Sequence, residues 1–238
     1  MSTKPTLVLV HGAFADASSF APVVSELLDD GHSVVVPAVP NRSLSGDSAY
    51  IASVVRQIPG PVLLVGHSYG GAVITVAGLE DNVVGLVYLA AYALDQGESI
   101  GELQSRFPDS DLASALVYQP FSQPGQDDGT DVSVDVQQFP AVLAGGVDPA
   151  SSRVLAVSQR PLAAAAFTEK ATVAAWRVKP SWGLIATADR AINPDVERFG
   201  YTRAFMTVRE VDASHLVMLA EPKAVVDLLR EAIRATTT

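Results

Sequence analysis

A serine between two glycines joins a strand-like segment to a helix-like segment in the first third of the chain. Residues 66–70, GHSYG, match the pattern G-x-S-x-G and follow the apolar run from Pro61 to Val65. The pattern is typical of a sharp strand-to-helix turn that presents a serine hydroxyl at the carboxyl end of a sheet. Glycines at positions 66 and 70 let the strand and the helix approach closely. We therefore expect Ser68 to stand exposed there as a nucleophile.

A serine nucleophile needs a base, and the chain has four histidines. His11 and His32 lie next to predicted strands, and His67 lies within the serine motif itself. His215 follows the last predicted strand, at the edge where open α/β sheets bind their ligands. We predict that His215 is the base and that His11 supports its own loop.

The third group of such a site is a carboxylate that holds the imidazole in one tautomer. We expect it after the penultimate strand, where Asp189 comes first and Asp195 already falls in the next helix. Asp189 is the predicted acid, and Asp95, which follows an earlier strand, is the alternative. Asp212 lies too close to His215 in the sequence to face it easily.

The oxyanion of an acyl-transfer reaction needs two backbone N–H donors, one after the nucleophile and one in the loop after the first strand. The first of these is the N–H of Tyr69. In the loop after the first strand, Gly12 permits a close approach, Ala13 is best placed to donate, and Phe14 is next.

Strands and helices alternate over most of the chain. Six short apolar segments predict strands: Thr6–Val10, Ser33–Val39, Pro61–Val65, Val83–Ala90, Trp182–Thr187 and Phe205–Val211. Because these runs do not alternate with polar residues, we expect a sheet buried on both faces, as parallel sheets are. Helical patterns lie between the strands. The alternation predicts an α/β fold with a doubly wound, mostly parallel sheet of about six strands.

Residues 94–176 break this alternation and are rich in Asp, Ser, Gln, Pro and Gly. The segments ALVYQPF (115–121) and DVSVDVQQF (131–139) predict two short strands around a turn-rich linker at 122–130. Helical segments are predicted around Ser151–Ala156 and at Leu162–Lys170. We predict a core of residues 1–93 and 177–238, with 94–176 inserted as a lid; a structureless loop is the alternative.

Composition excludes several classes of protein. The 238 residues carry a formal net charge of −10, which is unlike a protein that binds nucleic acid. The absence of cysteine excludes thiolate nucleophiles and disulfides. No apolar run is long enough to span a bilayer or to serve as a signal peptide, so we expect a cytoplasmic protein with no membrane partner. A small-molecule substrate is the expected partner, no metal or organic cofactor is expected, and the sequence leaves a homodimer open.

Four segments occur in the order found in the α/β-hydrolase superfamily: VHGAFADASSF, GHSYGG, ATADRAINPDVERF and VDASHLVMLAEPKAVVDLL. The chain resembles the small, lid-bearing branch that includes plant methylesterases, hydroxynitrile lyases and related bacterial esterases. The resemblance implies a lid with a small β-element and a triad of Ser68, Asp189 and His215. The lyases place a lysine after the catalytic histidine and a threonine in the first loop, where this chain has Leu216 and Gly12, so the esterases fit better.

These residues predict a serine hydrolase of carboxylesterase type that forms an acyl-enzyme on Ser68. The expected substrate is a small, largely hydrophobic ester, lactone or thioester. A C–C bond hydrolase or lyase on the same triad, and a non-catalytic receptor for a small ligand, are the alternatives. Aromatic side chains that would line the substrate site, or equally belong to the core, are Phe14, Tyr92, Tyr118, Phe139 and Trp176.

Overall fold

The computed structural model describes residues 4–122 and 128–237 and contains two sheets. The strands are β1 (Thr6–Val10), β2 (Val34–Val35), β3 (Val62–His67), β4 (Val83–Leu89), β5 (Leu116–Phe121), β6 (Gly129–Val134), β7 (Leu162–Ala163), β8 (Ser181–Ala186) and β9 (Thr207–Val211). The larger sheet has six parallel strands in the order β2-β1-β3-β4-β8-β9. This confirms the predicted fold class.

Ten helices lie among the described residues. They are α1 (Ala21–Asp29), α2 (Leu44–Arg56), α3 (Tyr69–Ala77), α4 (Ile100–Gln104), α5 (Leu112–Ala115), α6 (Phe139–Val142), α7 (Pro149–Val157), α8 (Pro194–Arg203), α9 (Val217–Ala220) and α10 (Pro222–Thr236). Single 3-10 turns occur at Ala17–Phe20, Ala164–Phe167 and Ala175–Arg177. None of the helices in the described ranges combines the length and the apolar character needed to cross a membrane.

The parallel arrangement brings distant parts of the chain to one edge of the sheet. Strands β1 and β3 are neighbours, and so are β8 and β9, and all four run in the same direction. The loops that follow these strands therefore meet at the carboxyl edge, where ligands of open α/β sheets bind. Strands β3 and β8 are buried along their whole length, because helices cover the sheet.

Two strands are shorter in the structure than the sequence predicts. Pairing of the second strand with β1 is confined to Val34 and Val35 rather than Ser33–Val39. Pro37 and Pro40 have no N–H to offer a ladder, and the N–H of Val39 donates to a side chain instead. The last strand begins at Thr207 rather than Phe205, because Phe205 has a positive φ of 51° in an exposed turn.

The insertion, residues 94–176, contains a second sheet in the order β5-β6-β7. The two strands that the sequence predicts here are present as β5 and β6 and pair antiparallel, and residues 123–127 of the predicted linker lie outside the described part of the chain. The prediction of a helix over Leu162–Lys170 is wrong at both ends, because Leu162 and Ala163 pair with β6 as β7 and only a 3-10 turn at Ala164–Phe167 follows. The buried position of Leu162 against Val132 outweighs the helical pattern.

Candidate active site

Ser68 lies between β3 and α3 in a strained backbone conformation. Its φ is 53° and its ψ is −121°, a combination that costs about 1–3 kcal/mol for a non-glycine residue. Three backbone hydrogen bonds hold it in place. The Ser68 N–H donates to Leu89 (3.2 Å), and the Ser68 carbonyl accepts from Gly71 (3.0 Å) and Tyr92 (3.3 Å). The turn therefore has a fixed position against β4.

Helix α3 packs unusually close to β1. A Cβ atom placed on Gly70 would overlap the carbonyl oxygen of Val10, so a larger residue would push the helix away from the sheet. The glycine at this end of the motif thus permits the close approach that the sequence predicts.

The structure brings Ser68, His215 and Asp189 together. The Ser68 hydroxyl lies 2.9 Å from Nε2 of His215, and Nδ1 of the same ring lies 2.6 Å from Oδ2 of Asp189. Because a carboxylate can only accept, Nδ1 carries the ring proton and Nε2 is the acceptor for the serine hydroxyl. In this tautomer the imidazole can receive a proton from Ser68.

Both carboxylate oxygens of Asp189 accept hydrogen bonds. Its Oδ1 accepts the N–H groups of Ala191 (2.7 Å) and Ile192 (3.0 Å), while its Oδ2 accepts from His215. Asp95, the alternative acid, lies elsewhere: both of its oxygens accept from the guanidinium of Arg177, and it makes no hydrogen bond to His215.

His67 is a residue of the site that the sequence analysis leaves without a role. Its ring is fully buried, and its Nε2–H donates to the backbone carbonyl of His215 at 2.8 Å. Burial lowers the pKa of His67 well below its usual value, and the neighbouring His215 lowers it further. A neutral His67 therefore fixes the loop that carries His215. The position of His67 inside the serine motif is the one feature of the sequence that could have pointed to this role. Its hydrogen-bond partner lies 148 residues away, so the contact itself could not be predicted.

Two backbone N–H groups that the sequence predicts as oxyanion donors have no acceptor among the described residues. Tyr69 is the first residue of α3, so its N–H has no partner within the helix. The Ala13 N–H donates no hydrogen bond to any residue that the structure describes. The N–H of Phe14, the second choice from the sequence, is instead bound to the carbonyl of Arg160 (2.9 Å).

The loop after β1 contacts the serine turn at Gly12, where a Cβ atom would lie 2.7 Å from that of Ser68. His11 supports this loop, as the sequence indicates. Its Nδ1–H donates to the Gly12 carbonyl (2.9 Å), and its Nε2 accepts from the N–H of Val39 (3.0 Å). Burial lowers the pKa of His11, which suits the neutral ring that these two bonds require.

The side chain of Tyr69 points away from Ser68. Its hydroxyl donates to Oδ2 of the buried Asp47 in α2 at 2.7 Å. Burial raises the pKa of Asp47, and the hydrogen bond from Tyr69 acts in the opposite direction. Tyr69 therefore offers its backbone N–H to the site and its hydroxyl to the core.

The insertion covers the carboxyl edge of the sheet. The carbonyl of Leu143 accepts from Leu216, the carbonyl of Arg160 accepts from Phe14, and the N–H of Ala163 donates to Asn41. Ser68 is 6% exposed and His215 is 2% exposed. The expectation that Ser68 stands exposed is therefore wrong: its side chain is buried.

The five aromatic candidates lie in different environments. Phe14, Tyr92, Phe139 and Trp176 are buried, whereas Tyr118 on β5 is 61% exposed. Phe14 is adjacent to Ala13, and Tyr92 lies close enough to Asp189 for the carboxylate to raise its pKa further, beyond the larger effect of burial. The Trp176 indole donates to the carbonyl of Leu94 (2.7 Å).

A sequence model described as the alpha/beta hydrolase family matches residues 7–228. The carbendazim hydrolyzing esterase of Nocardioides sp. (strain SG-4G) is 36% identical over 109 residues, a match that covers 39% of this chain and 44% of that protein.

Two solved structures share the fold across nearly the whole chain. Polyneuridine aldehyde esterase superposes with a TM-score of 0.83 at 17% identity, covering 97% of this chain and 99% of that one. A methylesterase from Arabidopsis gives a TM-score of 0.81 at 17% identity, with the same coverage. The resemblance to a branch with plant methylesterases and bacterial esterases is thereby confirmed.

The two roles of Tyr69 can be separated by removing its hydroxyl. The variant Tyr69→Phe keeps the backbone N–H, so we expect ester hydrolysis to stay within about threefold of the wild type. The buried Asp47 loses a donor, so the free energy of unfolding should fall by about 1–3 kcal/mol. Urea unfolding and activity measured on the same samples check this. Tyr50→Phe, at an exposed tyrosine, is the control; a Tyr69→Phe enzyme of unchanged stability would contradict the assignment.

Proposed function

Because the chain belongs to the alpha/beta hydrolase family, we propose that it is a serine hydrolase of carboxylesterase type, which cleaves a small, largely hydrophobic ester through an acyl-enzyme on Ser68. One observation carries this proposal. Asp189, His215 and Ser68 form a continuous hydrogen-bonded path, with bonds of 2.6 and 2.9 Å and the tautomer that nucleophilic catalysis requires.

In the acylation step, the oxygen of Ser68 attacks the carbonyl carbon of the ester while Nε2 of His215 accepts the hydroxyl proton. Asp189 accepts from Nδ1–H throughout and stabilises the imidazolium that forms. The tetrahedral oxyanion is bound by the N–H groups of Ala13 and Tyr69, each of which contributes about 3 kcal/mol to transition-state stabilisation.

Collapse of this intermediate breaks the bond to the leaving alcohol, whose oxygen takes the proton from His215. In the second half of the reaction, His215 removes a proton from water, and the resulting hydroxide attacks the acyl carbon. The carboxylic acid leaves, and Ser68 regains its proton from His215. The same sequence of steps serves lactones and thioesters.

The substrate class follows from what surrounds the site. Phe14, which is adjacent to Ala13, and Tyr92, whose N–H donates to the Ser68 carbonyl, are buried aromatic residues without charge, which favours a hydrophobic acyl or alkyl group. The insertion acts as the lid, since it hydrogen-bonds to the loops of Ala13 and His215 and leaves Ser68 almost inaccessible. The esterase names of the relatives support hydrolysis of a carboxylic ester.

Removal of the Ser68 hydroxyl tests the proposal. We expect wild-type protein to release p-nitrophenol from the acetate and butyrate esters with an initial burst, because the acyl-enzyme accumulates. In Ser68→Ala the burst should vanish and kcat should fall by a factor on the order of 10⁴ or more. Stopped-flow absorbance measures both quantities.

Ser152→Ala is the matched control, because Ser152 is also a buried serine but its hydroxyl has no hydrogen-bond partner within the described residues. Its activity should equal that of the wild type. Tight binding of an ester without turnover in either the wild type or Ser68→Ala would instead identify a receptor.

The role of Asp189 is tested against the alternative acid. In Asp189→Asn the amide cannot accept from Nδ1–H in the same way and favours the wrong tautomer, so we expect kcat to fall on the order of 10⁴-fold. Asp95→Asn breaks an ion pair with Arg177, whose side chain is 57% exposed, and should leave kcat within about twofold. Steady-state kinetics decide between them. A large loss in Asp95→Asn alone would overturn the assignment.

A further inference from the structure

Glu197 is a carboxyl group buried in the protein without an obvious purpose. It lies on α8, eight residues after Asp189, and its side chain is 0% exposed. One oxygen, Oε2, accepts the N–H of Ala186 at a long 3.3 Å. The other, Oε1, has no hydrogen-bond partner among the described residues. Such a group is costly to bury in its charged form.

Glu197 forms no salt bridge with any residue that the structure describes. Asp189 lies near enough for its charge to raise the pKa of Glu197 further, beyond the larger effect of burial, and the rings of Tyr92 and Tyr201 are the other titratable neighbours. Arg198 is the next residue on the same helix, but its guanidinium is bound to Asp195 (2.9 Å) and Glu210 (3.0 and 2.9 Å) at the surface.

Two adjacent buried carboxyl groups cannot both be ionised at low cost, so one of them takes a proton. Asp189 accepts three hydrogen bonds, two from backbone N–H groups and one from His215, whereas Glu197 accepts one. Donors stabilise the ionised form of a carboxyl group, so the charge belongs to Asp189. Burial and the charge of Asp189 accordingly raise the pKa of Glu197 well above its usual value.

We propose that Glu197 is a positioning residue that stays protonated at neutral pH, so that the buried pair carries one negative charge, on Asp189. A proton on the unpartnered Oε1 turns that atom into a donor for the neighbouring carboxylate. Asp189 is then held against His215 by the N–H groups of Ala191 and Ile192 and by a neutral Glu197. The inference rests on the proposed function only where it concerns the orientation of His215; the protonation of Glu197 stands without it.

Folding stability as a function of pH tests the protonation directly. A glutamate in the unfolded chain ionises at about pH 4.3, so a Glu197 that stays protonated makes the folded state bind one proton more. Its contribution to stability is present below that pH and is lost as the pH rises toward the raised folded-state value. A glutamine side chain does not ionise, so the variant escapes this loss. We therefore expect Glu197→Gln to have a higher Tm than the wild type at pH 8 and a smaller advantage at pH 4.5.

Glu98→Gln is the matched control. Glu98 is a second buried glutamate, but it pairs with Arg106 and Arg203, so removal of its charge should lower Tm at pH 8. A Glu197→Gln protein that is less stable than the wild type at pH 8, with no change in the difference at pH 4.5, would overturn the proposal.

The pH profile of kcat/KM provides the second readout. If Glu197 is neutral, Glu197→Gln should keep the acid limb of the profile within about 0.2 pH unit, because no charge near His215 changes. Removal of an ionised carboxylate would move that limb to lower pH, and such a shift would overturn the proposal. Glu197→Leu, which lacks any donor, should lose about tenfold in kcat with little change in KM.

Infrared spectroscopy tests the protonation of Glu197 without relying on enzyme activity. The wild type at pH 7 should show the carbonyl band of a buried protonated carboxyl group, and Glu197→Gln should lack it. If no ester is hydrolysed, the proposed function fails while the band and the stability difference still support a protonated Glu197. Absence of the band in the wild type would contradict the inference whatever the activity.

Discussion

The backbone of Ser68 holds a positive φ that costs free energy, and much of the surrounding structure acts to maintain it. Parallel strands on either side, β1 and β4, fix the approach of the chain. Gly70 lets α3 press against β1, and the Ser68 carbonyl accepts hydrogen bonds from both α3 and the loop after β4. Because the turn cannot relax, the hydroxyl stays in line with an imidazole that arrives from 147 residues away.

Control of charge is the second requirement of this site, since a low dielectric makes every unpaired charge expensive. The two buried histidines that flank the site, His11 and His67, have lowered pKa values and act as neutral hydrogen-bonding groups. Asp189 is surrounded by donors that satisfy it. A neutral Glu197 completes this arrangement, because a second buried negative charge beside Asp189 would be costly.

Local sequence patterns predicted β3, the serine turn and the positions of Ser68, Asp189 and His215 after their strands. These residues could be expected to meet because parallel topology brings the carboxyl ends of neighbouring strands to one edge of the sheet. What depends on distant contacts was not predictable. The partner of His67, the cover over Ser68 and the pairing of Leu162 with Val132 all join segments far apart in sequence. The protonation of Glu197 depends on how many donors reach each carboxyl group, which no pattern in the sequence reveals.

The central claim is that the Ser68 hydroxyl is the nucleophile. Reaction with an organophosphonate, followed by peptide mass spectrometry, tests it most directly, because the reagent forms a stable bond to an activated serine. The account predicts a single adduct on Ser68, formed quickly in the wild type and absent in Ser68→Ala. An adduct on another residue, or labelling that persists in Ser68→Ala, would contradict it.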